Sequence, residues 1–303
     1  MVGLLEDKIA IVTGAAHGIG RGHALELAKH GATVVVADLG TSVSGEGKGN
    51  DADEVADLIV KRGGKALADY ADIADEDQAA ALVDRAVAEF GRIDIVVNNA
   101  GIARDKAIWN MSAADFDSVM RVHVRGTWLM THLAAKLWRS RAQAGERFTG
   151  RIINTTSGAG LSGNFGQSNY ATAKAAVVGL TLTTSLELYK FGVTVNAVGP
   201  GGLTRLTATM GRDLKSFEPD DLGEEEYHPM DPAGSSPLVA WLASDEAQYV
   251  TGQVIRAIHD KIYLMGGWHE AATIDNAEKR WDATGLGLRI ATDLFGTRAP
   301  GLR

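Results

Sequence analysis

A serine, a tyrosine and a lysine stand at a spacing that suits proton transfer to an oxygen atom. Tyr170 and Lys174 are four residues apart in a helical pattern, so their side chains lie on one helix face. A free phenol has a pKa of about 10, and a neighbouring cation favours the phenolate. A tyrosine tuned in this way can exchange the proton of an alcohol or carbonyl oxygen, and Ser157 could hold the same oxygen. The tyrosine–lysine spacing alone also occurs by chance on solvated helix faces.

Residues 13–20 read TGAAHGIG and form a glycine-rich turn between a β-branched run and a helical pattern. Such a turn lets backbone come close to a pyrophosphate, which the free N–H groups and dipole of a helix N-terminus attract. The spacing of the glycines differs from the GxGxxG fingerprint, so the interpretation depends on the position of the turn after the first strand. The residues expected to contact a dinucleotide here are Gly14, His17, Gly18, Ile19 and Gly20. His17 has a second interpretation, in which it packs against the protein or faces solvent.

Asp38 ends the second β-branched run, shortly after the glycine-rich turn. A carboxylate at this place can hydrogen-bond both ribose hydroxyls of adenosine and repels a 2′-phosphate. It therefore predicts NAD as the cofactor in preference to NADP. The alternative is an aspartate that only shapes the turn before Gly40.

Two further segments follow later strands at the same predicted edge of the sheet. Asp72 and Ile73 could flank the adenine, although an ordinary helix-capping role fits equally well. The NNAG segment ends the fourth strand, where ligands bind at the carboxyl edge of an open sheet. Its expected cofactor contacts are Asn99, Ala100 and Gly101.

The elements that must position these residues alternate regularly. Short runs rich in Val and Ile, typical of buried parallel strands, lie at 8–13, 33–37, 65–69, 93–97, 150–155, 193–198 and 253–257. Helical patterns lie between them at 19–30, 51–62, 75–89, 113–141, 168–190 and 235–243. The alternation predicts an α/β fold, with a doubly wound parallel sheet of about seven strands and helices on both faces.

Composition narrows the function classes. The chain has 36 glycines and 6 prolines, and residues 1–199 contain no proline, which suits uninterrupted helices and strands. The formal net charge of -8 argues against a nucleic-acid partner, and the absence of cysteine excludes disulfides and thiolate zinc sites. No clustering of histidines and acids predicts a metal site. Because no long apolar run, signal-peptide pattern or SKL-type ending occurs, we expect a cytoplasmic protein that does not span a membrane.

The motifs together resemble those of the short-chain dehydrogenase/reductase family. TGAAHGIG, NNAG, a serine before YATAK, and the VGPG of 198–201 occur in the family's order, and the ordered set is far more specific than any one motif. The resemblance covers roughly residues 6–265 and implies a Rossmann-like single domain that binds NAD(H) or NADP(H). It implies that Tyr170 is the general acid–base and that Ser157 positions the substrate. Lys174 would orient the nicotinamide ribose and lower the tyrosine pKa, so Tyr170 and Lys174 also count as cofactor contacts.

Two positions depart from the family's pattern. The segment after the sixth strand reads PGGLT, one residue shorter than the usual PGxxxT, which weakens the case for Thr204 as a contact of the nicotinamide amide. The residues expected to border the nicotinamide are Pro200, Gly201, Leu203 and Thr204. The family usually has an asparagine in a V-N-x-x-G segment, where it supports a water and proton relay, and this chain has VHVRG. His123 is therefore either a relay residue that holds the same water and adds pH sensitivity or a structural residue.

VHVRG, GNFGQSNYATAK and the glycine-rich loop after Asp38 are similar to one branch of the family. That branch contains (3R)-hydroxyacyl-CoA dehydrogenase domains of peroxisomal multifunctional enzymes and 17β-hydroxysteroid dehydrogenase-like proteins. The likeness implies an acyl-CoA or steroid substrate, and a homodimer or homotetramer built through the helices around 113–141 and 168–190. We expect an NAD(H)-dependent oxidoreductase of a secondary alcohol or ketone. A ketoreductase working in the opposite direction and a non-catalytic dinucleotide-binding sensor or scaffold are the alternatives.

The domain boundaries and one long connection complete the expected organisation. Residues 1–265 are expected to form one NAD-binding catalytic domain, and residues 266–303 a C-terminal extension packed on it or on a neighbouring subunit. Residues 203–233 follow the first proline, and we expect them to form the substrate lid that is usual in the family.

Overall fold

Short buried strands form the centre of the protein. The structure is a computed structural model, and it describes residues 3–208, 216–221, 226–277 and 280–294. Its strands are β1 Ile9–Thr13, β2 Thr33–Ala37, β3 Lys65–Asp69, β4 Ile95–Asn98, β5 Gly150–Thr155, β6 Val193–Pro200, β7 Val254–Ile258 and β8 Lys261–Leu264. They make one sheet in the order β3-β2-β1-β4-β5-β6-β7-β8. Neighbouring strands are parallel throughout except that β8 runs antiparallel to β7.

Helices cover both faces of this sheet. The helices before residue 265 are α1 Gly18–Lys29, α2 Asp51–Lys61, α3 Glu76–Phe90, α4 Ala113–Met120, α5 Thr127–Gln143, α6 Gly158–Ser162, α7 Ser168–Leu188, α8 Arg205–Ala208 and α9 Ser236–Ala243, and α10 Ala283–Arg289 comes later in the chain. Alternate residues of β2 enter two different cores: Val34 and Val36 pack with residues of α1, α2 and α9. Val35 packs on the other face with residues of α3 and α5. The predicted doubly wound α/β architecture is confirmed. The edge strand β8, whose residues are all exposed, was not predicted from the sequence.

The long helix predicted over 113–141 is interrupted. A π-helical segment, Arg121–Gly126, separates α4 from α5. Such wide turns are rare and are frequently found at functional sites. Within this segment His123 and Gly126 are buried, so the wide turn directs the histidine toward the interior.

The strand order places a crevice at the centre of the sheet. The chain runs outward from β1 to β3 on one side and then returns to β4 on the other side of β1. In doubly wound sheets, ligands bind outside the carboxyl ends of the strands at such a switch point. Gly14 follows β1 and Asn99 follows β4, so the predicted cofactor motifs meet there.

The chain divides into two compact units, Met1–Met265 and Gly266–Arg303. The first contains the sheet and the predicted site. In the second, α10 is followed by a short π-helical segment, Ile290–Leu294. What the second unit packs on stays a prediction. Within the residues that the structure describes, no helix is long and apolar enough to cross a membrane.

Candidate active site

The glycine-rich turn brings backbone against backbone. Gly14 has a positive φ of 65°, and a Cβ built on it would lie 2.6 Å from Cα of Ala100. A Cβ on Gly20 would lie 1.9 Å from the Gly14 carbonyl oxygen. Neither position has room for a side chain, which leaves the start of α1 open to the close approach of an anionic group.

Asn99 fastens the end of β4 to this turn. Its backbone N–H donates to Oγ1 of Thr13 at 3.0 Å. Its side-chain amide donates to the carbonyl oxygens of Thr13 and Gly14, each at 3.0 Å. The two predicted cofactor motifs are therefore joined, and the Asn99 side chain serves to hold them together.

Asp38 lies beside the turn, immediately after β2. One carboxylate oxygen accepts a hydrogen bond from the N–H of Gly40 at 2.8 Å, which is the turn-shaping role considered for this residue. The other oxygen accepts from the N–H of Ala16 at 3.0 Å, so the carboxylate also borders the glycine-rich turn. Its role in selecting NAD stays a prediction.

Asp72 is not the N-cap of helix α3, which was one of its two interpretations. Helix α3 is capped by Asp75, whose carboxylate accepts from the N–H of Gln78 at 3.0 Å. Asp72 instead accepts a hydrogen bond from the Arg121 guanidinium at 2.6 Å. Ile73 beside it is buried. Contact of Asp72 and Ile73 with adenine stays a prediction.

Ser157, Tyr170 and Lys174 meet at the carboxyl edge of the sheet. Ser157 follows β5 and forms the N-cap of α6, while Tyr170 and Lys174 come from the first turns of α7. The ammonium of Lys174 donates to the carbonyl oxygen of Thr155 at 2.7 Å. It lies 5.6 Å from the centre of the Tyr170 ring. The spacing in the sequence thus gives a compact cluster in space.

The titration of this cluster differs from the prediction. Burial raises the pKa of Tyr170, the charge of Asp105 raises it further, and a hydrogen bond from Ser157 acts in the opposite direction. Burial also lowers the pKa of Lys174 to about 7. The net shift of the Tyr170 pKa is therefore upward, and the lowering effect of Lys174 stays a prediction. The reason for the upward shift is that desolvation dominates at both residues and also disfavours the lysine cation.

The ring of His123 packs against the ring of Tyr170. The two rings are perpendicular, with centroids 5.2 Å apart. A Cβ on Gly101 would lie 2.2 Å from Cε1 of His123, so the glycine of NNAG makes room for the imidazole. Nε2 of His123 lies 2.9 Å from the carbonyl oxygen of Ile102 and 3.1 Å from its N–H.

The pKa of His123 tests the predicted pH sensitivity of this residue. Burial and the nearby charge of Lys174 lower the pKa of His123 to about 3, so the imidazole is neutral at physiological pH. The predicted pH sensitivity near the ordinary histidine pKa is therefore wrong. The Nδ1 atom is buried and has no hydrogen-bond partner among the described residues. An unpaired nitrogen beside Tyr170 supports the relay role, which stays a prediction alongside the structural one.

The PGGLT segment packs against the glycine-rich turn. Pro200 ends β6, and the N–H of Gly201 donates to the carbonyl oxygen of Ala257 at 2.9 Å. Leu203 and Thr204 are both buried. A Cβ on Gly18 would lie 3.0 Å from the Thr204 methyl group. The shortened segment thus reaches the cofactor turn, while its contact with nicotinamide stays a prediction.

Sequence reasoning missed an acidic residue that lies on this same turn. Glu218 accepts a hydrogen bond from the N–H of Gly18 at 2.6 Å with one oxygen. The other oxygen lies 3.0 Å from Nδ1 of His17, whose Nε2 lies 2.8 Å from Asp51. The partly exposed ring of His17 is therefore held by two acidic side chains of the protein, and Glu218 raises its pKa. Contact of His17 with a dinucleotide stays a prediction.

A second ion pair holds the segment that carries Glu218. The Arg21 guanidinium donates to both oxygens of Asp220, at 2.6 and 2.7 Å. Residues 216–221 belong to the predicted lid, of which residues 209–215 and 222–225 lie outside the described residues. No motif marks these acids, because the contact joins positions about two hundred residues apart.

Polar residues after NNAG also support the start of α7. The N–H of Lys106 donates to the Gly166 carbonyl oxygen at 2.8 Å. The amide of Gln167 donates to Asp105 at 2.7 Å. Because Gln167 is the N-cap of the helix that carries Tyr170, these bonds fix the tyrosine relative to NNAG. These bonds were not predicted from the sequence, although both segments lie next to recognised motifs in the chain.

Comparison with known proteins identifies one family to which the chain is similar. The profile of the family described as short chain dehydrogenase matches residues 8–215. The chain is 39% identical over 298 residues to hydroxyacyl-CoA dehydrogenase ChsB1 of Mycobacterium tuberculosis, covering 98% of this chain and 91% of that protein. It is 38% identical over 244 residues to peroxisomal multifunctional enzyme type 2 of Mus musculus, covering 80% of this chain and 30% of that protein. A crystal structure of a short chain dehydrogenase from Mycobacterium avium aligns with a TM-score of 0.86, 43% identity and 98% coverage of both chains.

Proposed function

The chain belongs to the short-chain dehydrogenase family, and from this premise we propose that it is an NAD(H)-dependent dehydrogenase of 3-hydroxyacyl thioesters. Family membership makes it an oxidoreductase that acts on a CH–OH group, with a nicotinamide dinucleotide as the acceptor. The choice of NAD, the roles of the individual residues and the substrate class belong to the proposal.

One observation carries the catalytic part of the proposal. Tyr170 lies beside Ser157 and Lys174 at the same sheet edge as the glycine-rich turn before α1. A scaffold without turnover has no need of a tyrosine that is hydrogen-bonded to a serine and lies beside a buried lysine. The intact cluster therefore favours an enzyme over a dinucleotide-binding sensor.

The residues present fit a dinucleotide. Gly14 and Gly20 leave no room for side chains over the turn, and the carboxylate of Asp38 borders it. These residues would hold the pyrophosphate and the adenosine ribose, respectively. NAD supplies the hydride acceptor when bound, and the protein supplies orientation and proton transfer.

Tyr170 exchanges the proton of the reacting oxygen. In alcohol oxidation the phenolate accepts the hydroxyl proton of the substrate, while Ser157 holds the oxygen. Because burial raises the pKa of Tyr170, the phenol form is favoured and the rate of oxidation rises with pH. The same preference favours the phenol as a proton donor, which is the specific observation in support of the ketoreductase direction.

The substrate class is argued from the relatives. The Mycobacterium tuberculosis relative is named a hydroxyacyl-CoA dehydrogenase, and the match extends over almost the full length of both chains. A 3-hydroxyacyl-CoA presents a secondary alcohol next to a thioester, which suits a site with one acid–base residue. Hydroxysteroids are the second substrate class to be tested.

An absorbance screen tests the proposal. The protein is mixed with NAD and a panel of 3-hydroxyacyl-CoAs, hydroxysteroids and simple secondary alcohols, and NADH formation is followed. We expect turnover of 3-hydroxyacyl-CoAs and its loss in Tyr170→Phe, with NAD affinity retained. Tyr249→Phe, which removes a hydroxyl from an exposed tyrosine, is the matched control. Full turnover in Tyr170→Phe would refute the acid–base role, and NAD binding without any NADH formation would favour the sensor.

A further inference from the structure

Arg256 lies against Gly158, the residue that follows Ser157 in the chain. A Cβ built on Gly158 would lie 2.8 Å from Nη2 of Arg256, so the guanidinium packs against the Gly158 backbone. Arg256 belongs to β7 and is paired with Gly199 of β6. A Cβ on Gly199 would lie 3.1 Å from Cγ of Arg256. Two glycines of the active-site edge thus leave the space that this side chain fills.

The guanidinium has no partner in the part of the chain that the structure describes. Nε of Arg256 is buried and lacks a hydrogen-bond acceptor. Leaving a charged donor unpaired is costly, and native proteins generally avoid it. Arg151, on β5 of the same sheet, shows the contrast, because it donates to the carbonyl oxygens of Ser244 and Gly150 and pairs with Asp245.

The position of Arg256 relates it to the reacting oxygen. Ser157 hydrogen-bonds Tyr170, and the next residue along the chain contacts the guanidinium. The guanidinium therefore lies against the residue next to the serine that the proposed function places on the reacting oxygen. The side chain of Arg256 is only partly buried, so a ligand can reach it.

We propose that Arg256 binds the thioester carbonyl oxygen of the substrate and so selects 3-hydroxyacyl thioesters over simple secondary alcohols. In such a substrate the carbonyl carbon is two carbons away from the reacting carbinol. The planar guanidinium donates in fixed directions to an acceptor of this kind. This inference rests on the proposed function, since it assigns the second oxygen of the same substrate.

Two substrates and three variants of the full chain test the assignment. The substrates are a 3-hydroxyacyl-CoA and the matching 3-hydroxyalkyl-CoA thioether, in which CH2 replaces the carbonyl. In Arg256→Gln we expect kcat/KM for the thioester to fall by about 10- to 100-fold, the loss typical of a hydrogen bond to a charged group. The thioether, which lacks the accepting oxygen, should change by no more than about twofold.

The remaining variants separate charge, geometry and folding. Arg256→Lys keeps the cation without the planar fork and should recover part of the thioester activity. Arg147→Gln, which removes an exposed arginine just before β5, should leave both substrates unchanged. Melting temperature and NAD affinity show whether each variant is folded.

The outcomes distinguish the two proposals. An equal loss on both substrates, or no loss on the thioester, overturns the role of Arg256 while the wild-type activity upholds the proposed function. A wild-type protein that oxidises neither substrate overturns the proposed function and the role of Arg256 together.

Discussion

At the scale of single residues, Asp38 shows how one side chain serves structure and predicted specificity at once. Each of its carboxylate oxygens accepts one backbone hydrogen bond, from Ala16 and from Gly40. A carboxylate offers about four acceptor positions, so it retains capacity for ribose hydroxyls. The turn-shaping and the cofactor-selecting interpretations are therefore compatible.

Replacing Asp38 should weaken discrimination between the cofactors. In Asp38→Ala we expect the ratio of NADP to NAD dissociation constants to fall by about tenfold or more, because a repelling charge and two hydroxyl acceptors are lost. Fluorescence titration with both cofactors measures the ratio. Asp57→Ala, at an exposed position of α2, is the control. An unchanged ratio in Asp38→Ala would remove this residue from cofactor selection.

His123 should contribute no ionisation to the activity profile. Because its pKa is lowered to about 3, His123 is neutral between pH 5.5 and 8. The dependence of activity on pH in this range should therefore keep its shape in His123→Asn. If the side chain serves as a relay, His123→Asn should keep most of kcat while His123→Leu loses about tenfold, since leucine cannot hydrogen-bond. Equal rates in the two variants, with only the melting temperature lowered, would support the structural interpretation.

At the scale of elements, the two ends of the site are connected through segments that are distant in the sequence. Residues 104–106 are bonded to residues 166–169 at the start of α7, which sets the position of Tyr170. Residues 216–221 are bonded to the start of α1 through Glu218 and Asp220. The second connection occupies an N–H group at the predicted pyrophosphate site.

Removing the Glu218 charge should strengthen cofactor binding. A carboxylate on the N–H of Gly18 competes with a phosphate for the same donor and repels it. For Glu218→Gln we expect the NAD dissociation constant to fall by about three- to tenfold, a modest effect because the side chain is partly solvated. Calorimetric titration measures it, with Glu89→Gln on the exposed face of α3 as the control. Weaker NAD binding in Glu218→Gln would show that the carboxylate supports the cofactor site.

At the scale of the whole molecule, buried histidines link stability to pH. Burial lowers the pKa of His23 and of His123 to about 3 each, from the ordinary value of 6.5. Below pH 6.5 the unfolded chain takes up protons at these residues and the folded chain does not. Their contribution to the free energy of unfolding therefore decreases as the pH falls from 6.5 toward 3. His17 acts in the opposite sense, because its pKa is raised.

Acid should therefore destabilise the protein by a measurable amount. Each buried histidine reduces the free energy of unfolding by about 1.4 kcal/mol per pH unit below its unfolded pKa, or about 2 kcal/mol at pH 5. Urea unfolding at pH 7 and pH 5 measures the difference. His23→Gln removes one of these groups and should reduce the pH dependence by about 2 kcal/mol. A variant with the full wild-type dependence would exclude His23 from this effect.

Much of the architecture could be predicted from the sequence because it depends on local patterns. Short β-branched runs and intervening amphipathic stretches fix strands and helices, and their alternation fixes the doubly wound sheet. The exposed strand β8 and the π-helical segment around His123 lack such a pattern, since pairing geometry and packing produce them. The expected oligomer and the cytoplasmic location stay predictions.

The sequence by itself determined which chemistry the chain can carry. Tyr170 and Lys174 are one helical turn apart, and the glycines of the first turn permit close backbone approach, so covalent spacing alone specifies both features. The tertiary structure decided the electrostatic state of these groups. Burial raises the tyrosine pKa and lowers the lysine and His123 values, because desolvation depends on neighbours that no local pattern reveals. The same is true of Glu218 on the glycine turn and of Arg256 beside Gly158, which folding brings together from distant parts of the chain.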